Sequence, residues 1–218
     1  MRRIVTVAIV LAVCASLSAC GSSTATTTTT ATTTTAISTT SSLPPFASPK
    51  AVRAAVAAAL AQKSVHYEEN WEVDLEGSGG VTGDVTADLG LVRQSGSDYG
   101  PVEIRFINDT VYLREDAQDL AFDFGRRAKR YAGQWISIPK GDKDYAGRAA
   151  GLTLASIFKE FAPDVGLWTV VNQLPDSFEH TVGDSGDAVF VDRRFSKWNE
   201  PVHVHAPARS IPIATVRG

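Results

Sequence analysis

The chain has 218 residues, 44% of them hydrophobic, with 21 basic and 24 acidic side chains giving a formal charge of -3. That mild acid excess argues against a nucleic-acid partner, because nucleic-acid binders present a basic face. Its two cysteines, Cys14 and Cys20, both fall in the first 20 residues, so the remainder can form no disulfide, cysteine nucleophile or cysteine metal site.

Arg2 and Arg3 precede an apolar run from Ile4 to Ala15. That run is shorter than the roughly 20 residues needed to cross a bilayer and reads as a secretory signal peptide over residues 1–19. Leu17-Ser18-Ala19-Cys20 resembles the bacterial lipobox. The resemblance implies that Cys20 takes a diacylglyceryl group, becomes the new N-terminus and holds the protein at the extracytoplasmic face of the cell membrane. Loss of Arg2 and Arg3 would leave 19 basic against 24 acidic residues, a charge of -5.

From Gly21 to about Ser42 the chain is almost wholly threonine, serine and alanine. Such a composition cannot bury enough apolar surface to offset its ordering entropy. Residues 20–48 therefore read as a lipidated cysteine and a disordered tether, spanning on the order of 30 Å as a coil. Tracts of this kind can also carry O-glycans.

Residues 49–218 are long enough for one domain with a real core. Ser48-Pro49 predicts a helix start over PKAVRAAVAAALAQK, with Val52, Val56 and Leu60 on one stripe. VHYEENWEVDLE then alternates, placing Val65, Tyr67, Trp71, Val73 and Leu75 on one face and an acidic set on the other. The glycines Gly77, Gly79 and Gly80 signal a turn, and the next strand repeats the pattern with Val81, Val85, Ala87, Leu89 and Leu91. PVEIRFI and TVYLRE are joined by Asn108-Asp109, which suits a tight hairpin. QWISIP is a further strand, while DLAFDFGRRAKRYAG before it has no clear period. GLTLASIFKEFAP predicts an amphipathic helix capped by Thr153, with Leu154, Ile157, Phe158 and Phe161 on its apolar side and Pro163 as its stop. LWTVVNQL, DAVFVDRRF, PVHVH and IPIATV read as strands. The sum is an antiparallel meander whose edges must be capped or curled.

Several stretches together carry a family resemblance: the lipobox and tether, YAGQWISIPKGDKDY, GLTLASIF, FSKWNEPVHVHAP and IPIATV. They resemble the exported actinobacterial lipoproteins of the LppX/LprG group, which share the fold of the LolA/LolB carriers. The resemblance implies an α+β fold, a strongly curved antiparallel sheet forming a half-open barrel, with helices on its concave face and an apolar cavity between. Trp71, Val73, Leu75, Val85, Leu89, Phe106 and Trp135 would wall that cavity, and Leu154, Ile157, Phe158 and Phe161 would cover it. The implied function is a non-enzymatic binder or carrier of acylated lipid or lipoglycan, without cofactor. The alternative is a cavity-free module contacting an envelope protein, with hydrolysis a distant third. Only Asp164–Phe195 separates the second helix from the tryptophan piece, and fewer strands there would leave the barrel more open.

Other motifs have bland explanations. Gly183-Asp184-Ser185-Gly186 copies a protease nucleophile loop, but nothing resembles that family's histidine segment, Asp187 replaces the following glycine and the domain is too small for its paired barrels, so the motif reads as a turn. His203 and His205 share a face yet lack further zinc ligands. Asp84/Asp88 and Asp142/Asp144 read as a wet sheet face and a turn, without the run of oxygen donors that calcium requires. The basic cluster Arg126, Arg127, Lys129 and Arg130 is a candidate contact for a lipid headgroup or membrane surface.

Overall fold

The computed structural model describes residues 46–73, 77–97, 100–159, 166–182 and 189–218, all within one compact unit, Pro44–Gly218. Cys20, the tether as far as Pro45, Leu75, Phe161 and the Gly183–Gly186 motif lie outside the described residues.

Ten strands form one sheet: β1 (Ser64–Val73), β2 (Gly77–Thr86), β3 (Leu89–Gly96), β4 (Val102–Ile107), β5 (Thr110–Arg114), β6 (Ile136–Pro139), β7 (Leu167–Val171), β8 (Leu174–Val182), β9 (Val189–Ser196) and β10 (Ile211–Pro212). Their order is β10-β6-β5-β4-β3-β2-β1-β9-β8-β7, and the two ends do not meet, so the sheet is open. Pairing is antiparallel except between β10 and β6. Two meanders, β1–β6 and β7–β9, are joined along β1 and β9.

The first hairpin pairs as its alternation predicts, with Tyr67 opposite Gly83 and Trp71 opposite Gly79. Gly79 belongs to β2 and not to the turn. The ring of Trp71 lies across Gly79 and that of Tyr67 across Gly83, where any Cβ would overlap the aromatic atoms. This explains why β2 accepts glycine despite its cost inside a strand. Asn108 and Asp109 make the β4–β5 turn with φ of 51° and 58°. Asn172 and Gln173 repeat that geometry at 52° and 66°, dividing LWTVVNQL into β7 and β8.

Register corrects two of the predicted faces. A two-residue turn at Ala87-Asp88 sets Val85 opposite Gly90, so the inward positions of β3 are Gly90 and Val92. Leu89 and Leu91 face the other way, because a shift of one residue reverses every side chain. Similarly, Ile136 and Ile138 are the buried residues of β6, which puts Trp135 on the outer face. There its ring lies 4.4 Å from the Arg105 guanidinium and 4.9 Å from that of Arg114.

The helices are α1 (Pro49–Leu60), α2 (Ala117–Phe124), α3 (Tyr145–Ala149), α4 (Leu154–Lys159) and α5 (Ile213–Arg217), with a 3-10 helix at Arg126–Tyr131. Ser48 caps α1 by accepting from the Ala51 amide at 3.3 Å. Its buried side is Val52, Ala55 and Ala59, while Leu60 is 48% exposed; small residues let the helix lie close on β7 and β8. Thr153 and Ser156 cap α4 reciprocally: Thr153 Oγ1 accepts from the Ser156 amide and Ser156 Oγ from the Thr153 amide. In the unassigned segment Asp116 caps α2, and Gly125, at φ 90°, ends it and opens the 3-10 helix. IPIATV is strand only over Ile211–Pro212 and then turns into α5. PVHVH pairs with no strand; it is an extended strap held where Arg105 Nη1 donates to the His205 carbonyl at 3.0 Å, with His203 and His205 exposed.

Between helices and sheet the side chains are continuous. Phe158 lies 5.1 Å from Phe195, Trp168 4.6 Å from Phe178, and Trp198 6.3 Å from both Phe158 and Phe195. Trp198 is held by a corner in which Lys197 and Asn199 take positive φ and Asn199 Oδ1 accepts from the Lys63 amide at 2.8 Å. The tryptophan piece is thus a structural corner beneath α4.

Candidate ligand-binding cleft

The packed inner face ends in a row that runs Phe195–Tyr67–Gly83–Val92–Ile104–Leu113–Ile136 across seven strands. Period-two alternation makes the next inward row Phe178–Arg193–Glu69–Val81–Gln94–Val102. Glu115, directly after β5, continues the parity of Val111 and Leu113. Along this second row opens a cleft of about 880 Å³, lined by Glu69, Val81, Gln94, Val102 and Glu115, by Ala117 at the start of α2, and by Ala132 and Gly133. Arg93, Glu103 and Arg114, of the opposite parity, border it too.

Each flank carries a carboxyl group held by a guanidinium. At one end Arg193 Nε donates to Glu69 Oε2 at 2.6 Å, Nη2 donates to the same oxygen, and the guanidinium lies 5.2 Å over the Tyr67 ring. Arg193 is buried, so the pair is costly unless well formed. At the other end Arg148 Nη1 donates to Glu115 Oε1 at 3.2 Å, and Nη2 to Asp123. Burial pushes the Glu115 carboxyl up to about 8, against the pull of Arg148 and helped by the negative charge of Asp123 and Asp119. Glu103 holds Arg105 and Arg114 together, and its carboxyl is lowered: burial raises it, but the two guanidinium groups outweigh that. His180, on the inner face of β8 beside Phe178, is pushed down by burial.

The cleft thus offers two aliphatic side chains, Val81 and Val102, on either side of Gln94, between flanks that carry Arg193 and Arg148. Such a surface can take a hydrocarbon segment while the flanks meet a polar group.

Among the described residues, none of those assigned to a cavity wall or its cover lines this cleft. Val85 and Phe106 are buried neighbours of Gly90 in the core. Leu154, Ile157 and Phe158, assigned to the cover, are buried members of the hydrophobic core. Trp71 and Val73 are half-buried at the uncovered end of β1. Leu89 and Trp135 are on the outer face. Arg126, Arg127, Lys129 and Arg130 are exposed on the 3-10 helix.

Glu69, Arg193, Gln94 and Glu115 were missed by sequence reasoning. A signal existed for Glu69, which stands on the apolar parity between Tyr67 and Trp71, and for Arg193 between Val191 and Phe195. A lone charge on an apolar stripe marks a buried partner across the sheet.

No protein-family model matches the chain, and no curated protein matches its sequence. Among solved structures, LprF from Mycobacterium bovis aligns over 75% of this chain and 100% of that one, at 15% sequence identity and a TM-score of 0.40. The functional reading therefore rests on the cleft.

Proposed function

We propose that the protein is a lipid-anchored envelope lipoprotein that binds an acylated lipid or lipoglycan in the β1–β5 cleft, without catalysis. The observation that carries this is the aliphatic surface of Val81 and Val102, flanked by the Glu69–Arg193 and Glu115–Arg148 contacts, in an open cleft of about 880 Å³, within the range of roughly 300–1,000 Å³ typical of small-ligand sites. An acyl segment laid on Val81 and Val102 leaves water, each buried methylene contributing about 0.8 kcal/mol. Acylation of Cys20 would hold the domain outside the cell, and the tether would give it reach between a donor and an acceptor surface.

Native mass spectrometry of the chain from Gly21, produced without its anchor and incubated with envelope extract, tests the reading. Copurifying lipid that is lost in Val81→Asp supports it. Absence of lipid, or lipid retained in that variant, overturns it. Blocked incorporation of labelled palmitate by Cys20→Ser tests the anchor separately.

A second reading, an envelope protein-interaction module, is favoured by the filled space beneath α4 and by edge strand β7, which exposes Leu167 (46%) and Val171 (45%). Unpaired strand edges add strands from partners. Lipid-free protein that captures an envelope protein through β7 would favour it.

A further inference from the structure

We infer that the α2–3-10 segment docks the domain onto an anionic lipid surface, independently of what the cleft holds. Four cations, Arg126, Arg127, Lys129 and Arg130, occupy five consecutive positions, and all four are exposed. The 3-10 period of three explains their display: Gly125, Ala128 and Tyr131 share one side, and Ala128 is fully buried. The cations therefore fall on the two remaining sides. Among the described residues none of the four makes an ion pair, in a chain whose acidic residues outnumber its basic ones. Arg130 instead lies over the ring of Tyr131.

The second observation is Phe122, which is 55% exposed on α2, the helix that packs on the 3-10 helix. An exposed aromatic a few residues ahead of a cluster of exposed cations is the chemistry of an interfacial contact, in which the apolar group enters the headgroup boundary and the cations meet anionic lipid. A soluble polyanion would use the cations and leave Phe122 idle, so the aromatic favours the bilayer. The same segment supplies Ala117, Ala132 and Gly133 to the cleft, so docking would bring the cleft border to the surface.

The test is sedimentation of the chain from Gly21, which keeps the whole compact unit and lacks the acyl anchor, with phosphatidylcholine vesicles and with vesicles in which about a third of the lipid is phosphatidylglycerol. The expected result is binding to the anionic vesicles alone. That binding should weaken by roughly tenfold or more when the four cations become glutamine, and several-fold in Phe122→Ser, with thermal unfolding unchanged in both variants. Equal binding to both vesicle types, or no binding, overturns the inference. So does loss in the glutamine variant without loss in Phe122→Ser, which would indicate a soluble polyanion as the natural ligand. Lipid found or missing in the cleft leaves this result unaffected.

Discussion

Glu115 couples the border of the cleft to pH. Its carboxyl keeps its proton to about 8 in the folded protein, against an ordinary value of 4.5. The unfolded chain releases that proton first, so folding loses stability as pH rises from about 4.5 through 8. The groups facing it are Arg148 from α3 and Asp119 and Asp123 from α2. Glu115→Gln keeps the shape and removes the titration; its melting temperature should fall less than the parent's between pH 5 and pH 8.5, roughly the interval where the two states differ in protons. An equal fall in both proteins would refute this. Asp142 acts at the opposite end of the scale. Arg217 donates to it from Nη1 at 2.9 Å and from Nη2 at 2.5 Å, holding its carboxyl down at about 2. That contribution is complete above the ordinary aspartate value and is lost as pH falls through about 2. In Arg217→Gln, acid unfolding should begin at higher pH.

Among the elements, α4 is short and its contribution comes from burial. Phe158→Ala removes a ring packed on Phe195 and Trp198, and should cost about 3–5 kcal/mol in urea unfolding. Ligand binding in the cleft should survive wherever the protein stays folded. Urea midpoints set against lipid occupancy separate the two effects. The hairpins were legible because their turns are chemically specific: Asn108-Asp109 takes the positive φ that its composition announces. The register beyond a turn was not, since one residue more or less at Ala87-Asp88 decides whether Leu89 or Gly90 points inward. The face of Leu89 failed for that reason, and that of Trp135 because Ile136 and Ile138 take the inward positions of β6. The cover helix was legible from the spacing of Leu154, Ile157 and Phe158, but spacing cannot distinguish a residue that roofs a void from one that fills it. The cleft was hidden for a related reason. It begins where packing of the helices stops, a boundary set by three-dimensional contact and not by any pattern along β1 or β4.

At the scale of the whole molecule, the seam between β1 and β9 holds the two meanders together. It joins positions more than a hundred residues apart, Tyr67 to Phe195 and Glu69 to Arg193, and such contacts form only after a large loop has closed. Glu69→Ala leaves the Arg193 guanidinium buried without its carboxylate and should cost about 3–5 kcal/mol. Replacing both residues with methionine should cost far less, and a double-mutant cycle reads the difference. Hydrogen exchange in Glu69→Ala should show β8 and β9 amides opening ahead of those in β3 and β4. Uniform exchange across the sheet would mean that the pair does not secure the seam.

The rings lying across Gly79 and Gly83 bear on how this sequence can evolve. Tyr67 and Gly83 share one volume of space, so neither is free to change alone. A lineage that first gains valine at position 83 meets a collision, whereas one that first trades the tyrosine for a smaller side chain gives up its hydroxyl bond to the Gly151 carbonyl but liberates the glycine. Gly79 is fixed more tightly, because a Cβ there would meet the Ser95 carbonyl oxygen as well as the Trp71 ring. Across diverging descendants Tyr67 and Gly83 should drift jointly, large with absent and modest with modest, while position 79 stays glycine whatever stands at position 71.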